Sequence, residues 1–160
     1  MRLIVDLLGN RHKDLFLKFD IFPTNELKII DSYYWSDFLN INLENFEEYS
    51  DEKSSQIIAT EIINYWKSIF ENLEKNEIKY FPIDLSDEYV SVFQIKKHKL
   101  GIQFEEFITQ KFSGWNFNKS DLLENFDIES LQPTKTKFSI SEQNIIDGLN
   151  WSLKNLKNVV

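Results

Sequence analysis

Between Ser54 and Lys75 the residues Ile58, Ile62, Trp66 or Tyr65, Ile69 and Leu73 recur at three- and four-residue intervals. On an α-helix that spacing makes a single apolar stripe about five turns long. A helix so long with one apolar face must lie on a broad apolar surface, and the flanking sequence supplies the material for one. Leu15, Leu17, Phe19 and Ile21 alternate with Phe16, Lys18, Asp20 and Phe22, the period of two of a half-buried strand. Leu3 to Leu8 can pair with it as a hairpin through Gly9-Asn10-Arg11-His12, and Phe22-Pro23-Thr24-Asn25-Glu26 turns the chain into Leu27 to Ile30. The first third thus reads as an antiparallel meander.

Beyond the helix, Tyr80-Phe81-Pro82 interrupts the helical pattern, because a residue before proline is pushed towards extended geometry. Tyr89 to Ile95 and Leu100 to Ile108 alternate and read as two strands joined by Lys96-Lys97-His98-Lys99. Ser120 to Phe126 suits a short helix and Lys135 to Ile140 a further strand. Ser139-x-x-Glu142 resembles a capping box opening a last helix, with Ile145, Ile146, Leu149, Leu153 and Leu156 on one face. Asp51 or Ser54 suits the N-cap of the long helix, and Glu71 and Lys75 are spaced as an i,i+4 pair near its end. The expected architecture is one α+β domain over residues 1–160. It comprises an antiparallel sheet of about five or six strands with the long central helix and the C-terminal helix packed on it. Fourteen phenylalanines among 160 residues predict a core rich in rings.

The absence of cysteine removes disulfides and thiolate chemistry and is compatible with a reducing compartment. The apolar stretch Met1 to Gly9 is short for a secretory leader and is broken by Asp6. No uncharged apolar run approaches the roughly 20 residues that span a bilayer, so a soluble protein is expected. A net charge of −8 argues against binding nucleic acid or acidic membranes through clustered Lys and Arg. Walker loops, GxGxxG, GxSxG and HExxH are all missing. His12 and His98, the only histidines, fall in predicted turns, and solvated side chains are the simpler reading than a general acid/base pair. Asp84-Leu85-Ser86-Asp87-Glu88 offers oxygen ligands but not an EF-hand spacing, and a capped turn before the next strand explains it better than a metal. A protein without enzymatic activity, cofactor or metal is expected; a small hydrolase using Asp/Glu or the two histidines, and an adaptor module, stay open.

The segment from Asp31 to Glu52 stands apart, with seven carboxylates, six aromatics and no Lys or Arg. Such charge steers cationic partners, and exposed rings beside it give rigid contact area. Tyr33, Tyr34, Trp35, Asp37, Glu44, Glu47, Glu48, Asp51 and Glu52 form the candidate partner-binding surface. Two other readings apply to parts of it. The three rings at 33–35 can continue the third strand into the core, and Asp51 and Glu52 suit the helix N-terminus, where the macrodipole favours negative charge.

The block Tyr80-Phe81-Pro82-Ile83-Asp84-Leu85-Ser86-Asp87-Glu88-Tyr89-Val90, followed by a hydrophobic hairpin, resembles a pattern found in small bacterial immunity proteins of polymorphic or contact-dependent toxin systems. The resemblance implies a cytoplasmic, non-enzymatic antitoxin that occludes a cognate toxin, often a basic nuclease. It carries no functional residue over to this chain.

Overall fold

The computed structural model describes residues 1–6, 10–20, 25–42, 51–124 and 126–157. The fold class is α+β, and the described strands form two antiparallel sheets. The first is the expected meander: β1 (Arg2–Val5), β2 (Leu15–Asp20) and β3 (Asn25–Ile30) lie in that order. The period-two pattern sets the register, with Leu17 opposite Leu3 and Lys28, and Leu15, Leu17 and Phe19 all face inward at 0% exposure. The second sheet has four strands in the order β4 (Ile78–Leu85), β5 (Val90–His98), β6 (Gly101–Thr109) and β7 (Gln132–Ile140). The expectation of a single sheet of five or six strands is therefore corrected to two sheets of three and four strands. The alternation patterns specify which face of each strand is buried but not which strand it lies beside.

Four α-helices complete the described elements: α1 (Trp35–Phe38), α2 (Asp51–Glu71), α3 (Lys119–Glu124) and α4 (Glu142–Lys157), with a 3-10 turn at Ile128–Ser130. Helix α2 starts at Asp51 and ends at Glu71, so Lys75 lies beyond it and the expected Glu71/Lys75 helical pair does not arise. Of the expected stripe, Ile58, Ile62 and Trp66 are buried in α2, together with Ala59, Ile63 and Phe70; Tyr65 and Ile69 pack at the margin, and Leu73 is buried just beyond the helix. Trp66 occupies the core position, and its indole N–H donates to the carbonyl of Pro82 at 3.2 Å.

The strand that sequence reasoning lacked is β4. Pro82 sits inside it, opposite Val92, and is tolerated because β4 is an edge strand, where one side of the backbone needs no ladder partner. Pro133 occupies the opposite edge strand, β7. Lys96, Lys97 and His98 belong to β5, and the hairpin turns instead through Lys99 and Leu100 into Gly101. The cap of α4 is Ser141 in place of Ser139: its Oγ accepts from the amide of Asn144 at 3.2 Å, while Ser139 stays in β7.

The two sheets face each other across rings. Phe19 of β2 stands 5.4 Å from Phe93, 5.7 Å from Phe104 and 4.9 Å from Phe138 of the larger sheet. Helix α2 covers the rest of the same face, with Trp66 and Phe70 edge-on to Phe81 at 5.9 and 5.5 Å. Helix α4 lies on β1, where the Leu3 amide donates to Ser152 Oγ at 2.9 Å in a buried contact. No described helix is long and apolar enough to cross a membrane.

Candidate functional site

The acidic aromatic segment divides when folded. Asp14, fully buried at the start of β2, accepts from the Ser32 amide at 2.9 Å, the Ser32 hydroxyl at 2.7 Å and the Ser55 hydroxyl at 2.8 Å. That junction pins the chain after β3 to the first turns of α2. The backbone then coils into α1, which turns Trp35 and Phe38 inward at 0% exposure; Trp35 packs edge-on to Trp66 at 5.7 Å. Tyr34 is 3% exposed. Of the three rings proposed as anchors, Tyr34 and Trp35 are thus core residues and Tyr33 alone is half-exposed. Asp37 is exposed on α1, whereas Glu44, Glu47 and Glu48 lie outside the described residues. Asp51 and Glu52 are the first described residues of α2.

A different ring takes the exposed position. Trp115, from the loop between β6 and α3, is 61% exposed and lies edge-on to Tyr33 at 5.6 Å and to Tyr34 at 5.0 Å. Its indole N–H donates to Asp87 Oδ1 at 2.8 Å, and the Tyr34 hydroxyl donates to the same carboxylate oxygen. The loop approaches this closely because residue 114 is glycine. A Cβ there would stand 2.4 Å from the Tyr34 ring, and the Gly114 amide instead donates to the Ser86 carbonyl at 2.6 Å. Ser86 in turn closes the 86–89 turn, its Oγ accepting from the Tyr89 amide at 3.2 Å, so Ser86 caps the turn as expected, while the Asp87 carboxylate is taken up by Trp115 and Tyr34. On the far side, Arg11 lies 5.0 Å over Tyr33, and His12 stacks on it at 5.3 Å while standing 3.4 Å from Asp31.

Four segments distant in sequence therefore build one surface: 11–12, 31–37, 86–88 and 114–115. It presents Trp115 and the edge of Tyr33 among Asp31, Asp37, Asp87 and Glu88. Among the described residues, no Lys or Arg forms an ion pair with any of these four carboxylates. The two histidines do not combine. His12 stands 3.4 Å from Asp31, whereas His98 ends β5 with its ring 3.1 Å from Gln103.

A second polar constellation lies where the sheets splay apart beyond the phenylalanine cluster. Glu106 of β6, 5% exposed, receives Lys28 Nζ at 2.8 Å, Ser91 Oγ at 3.0 Å and Thr134 Oγ1 at 2.9 Å. Burial alone would raise its pKa, but the hydrogen bonds from Lys28, Thr136 and Thr134 and the lysine charge outweigh that and hold it below the ordinary carboxylate value. Asp84 faces the same space and behaves oppositely. Burial, assisted by the charges of Asp31 and Glu106, pushes it up to about 6 against the hydrogen bond from the Tyr89 hydroxyl at 2.9 Å and the more distant Lys28. Tyr89 is pushed up to about 12 by its own burial and by the Asp84 carboxylate. Sequence reasoning treated Asp84 as part of a turn and did not single out Glu106. An acidic residue in an alternating strand is marked as functional only when the neighbouring sheet is known.

No protein-family model, no curated protein and no solved structure matches this chain.

Proposed function

We propose that the protein is a non-enzymatic binding protein that neutralises a basic partner by covering its active or substrate-binding surface, in the manner of the cytoplasmic immunity proteins its 80–90 block resembles. The observation that carries this reading is Trp115: a ring 61% exposed, yet fixed by Asp87 and two tyrosines, on segments whose carboxylates Asp31, Asp37, Asp87 and Glu88 have no Lys or Arg ion pair among the described residues. A large ring held rigid in the free protein loses little entropy on binding, and aromatic anchors of this kind dominate interface energies. The surrounding charge, on a chain of net −8, accelerates encounter with a positive cleft and rejects acidic competitors. Occlusion needs no catalytic group.

Parallel capture from the native cell with wild-type protein and a Trp115→Ala variant tests the reading. A basic protein should be retained by the wild type at low salt, released as salt rises, and retained at least tenfold less by the variant. A partner held equally by both, or one indifferent to salt, removes this face from the mechanism.

A further inference from the structure

The cleft beyond the phenylalanine cluster is a cavity of about 370 Å3 bordered by Lys28, Ile29, Ile83, Asp84, Glu106 and Ile108, among others. That volume lies within the roughly 300–1,000 Å3 of small-ligand sites. Two irregularities in the larger sheet coincide with it. The β4/β5 register shifts between Pro82 and Asp84, leaving Ile83 as an extra residue, and the β6/β7 register shifts between Glu105 and Phe107, on either side of Glu106. Bulges of this kind re-aim side chains and are over-represented beside binding sites. Here they fall on the two carboxylates that face the cavity.

Those carboxylates are provided for unequally. Glu106 already holds an alkylammonium: Lys28 reaches across from β3, its Nζ on Glu106 Oε2 at 2.8 Å, with Ser91 and Thr134 completing the site. Asp84 has the Tyr89 hydroxyl on Oδ2 and, among the described residues, no ion pair. The charged groups acting on Asp84 include Asp31 and Glu106 against the single cation Lys28, so the local field favours a further positive charge. Beside it Ile83 and Ile108 line the cavity with branched alkyl groups, which suit a methylene chain.

We propose that this cleft binds a primary alkylammonium group, its nitrogen on Asp84 in the manner that Lys28 sits on Glu106, and its methylene chain along Ile83 and Ile108. The group is that of a free aliphatic amine or of a lysine side chain. Asp31 acts on both regions, but the cavity lining includes neither Trp115, Tyr33 nor Asp87, so its test bears on the proposed partner binding only through the lysine arm.

Titration of the wild-type protein with n-pentylamine at pH 7.5, followed by the methyl resonances of Ile83 and Ile108, gives the primary readout. Saturable shifts at these methyls are expected, with 1-pentanol, the uncharged counterpart, at least tenfold weaker. Affinity should fall about tenfold at pH 5, where an Asp84 of pKa about 6 is some nine-tenths protonated while Glu106 remains ionised. Asp84→Asn should abolish the preference for amine over alcohol. Nα-acetyl-lysine methylamide distinguishes the sources: binding equal to pentylamine assigns the site to a lysine side chain, and binding at least tenfold weaker assigns it to a free amine. Absence of saturable shifts, or equal binding of amine and alcohol to the wild type, overturns the proposal, and neither outcome depends on how the variant folds.

Discussion

Single carboxylates differ in this molecule according to what donates to them. Asp14 is fully buried with three donors and, among the described residues, no ion pair. Asp14→Ala leaves the Ser32 amide and the Ser32 and Ser55 hydroxyls without their acceptor and is expected to destabilise by about 3 kcal/mol, read as a lower urea midpoint. Asp14→Asn keeps one acceptor oxygen and should lose roughly half as much. Asp84 predicts the reverse sign. Its folded pKa of about 6 exceeds the ordinary 3.8, so the folded state holds the proton more tightly. The associated stability is complete below about pH 4 and is lost as pH rises through 6. Asp84→Asn should therefore match the wild type near pH 4 and exceed it at pH 7 by up to about 3 kcal/mol, measured by denaturation at the two pH values. Equal effects at both would mean that the carboxyl is not strained by burial. Nothing in the sequence separates Asp14 or Asp84 from the other acidic residues, because their difference lies in burial by segments 18 to 41 residues away for Asp14 and across the sheet interface for Asp84.

Elements were legible where a period and a length coincide. The stripe of α2, the alternation of β2 and the β5/β6 hairpin all carry more than one full repeat, and each appears close to its expected place. Strand β4 was not legible, because Pro82 signals a break and the edge position that excuses it is a property of the whole sheet. The rings at 33–35 fit two readings equally well, and the buried Asp14–Ser32–Ser55 junction, which bends the chain into α1, decides between them. Trp115 escaped notice because its partners Tyr33, Tyr34 and Asp87 come from other segments. Helix α4 docks on β1 so closely that a Cβ on Gly148 would stand 2.1 Å from the Met1 carbonyl oxygen. That oxygen is backbone and cannot swing aside, so the helix must move. Gly148→Ala gains about 1 kcal/mol of helix propensity and should still destabilise by about 2 kcal/mol net through the displaced interface. Faster amide exchange at Leu3, which donates to Ser152, is the local readout, and an unchanged Leu3 would show that α4 shifts without cost.

Across the whole molecule the space between the sheets changes character from one end to the other, with the Phe19, Phe93, Phe104 and Phe138 cluster at its centre and the Lys28, Asp84 and Glu106 cleft beyond it. The rings on this chain consequently divide into those that hold the sheets together and those that remain available outside. Phe104 touches Phe19, Phe70, Phe93 and Phe138 at 5.1–5.9 Å and is fully buried. Phe104→Ala removes the ring joining both sheets and α2, and should cost about 3–5 kcal/mol with loss of protection in both sheets together. Trp115→Ala removes a ring 61% exposed and should cost about 1 kcal/mol, leaving the amide spectrum unchanged outside 33–37, 86–89 and 112–117. This contrast bears directly on function: a ring whose removal abolishes partner capture without loosening the sheets is a contact, whereas one that loosens both sheets is a scaffold. If Trp115→Ala destabilised the fold as much as Phe104→Ala, its rigid placement would be explained by stability alone, and the acidic face would lose the anchor on which occlusion of a basic partner depends.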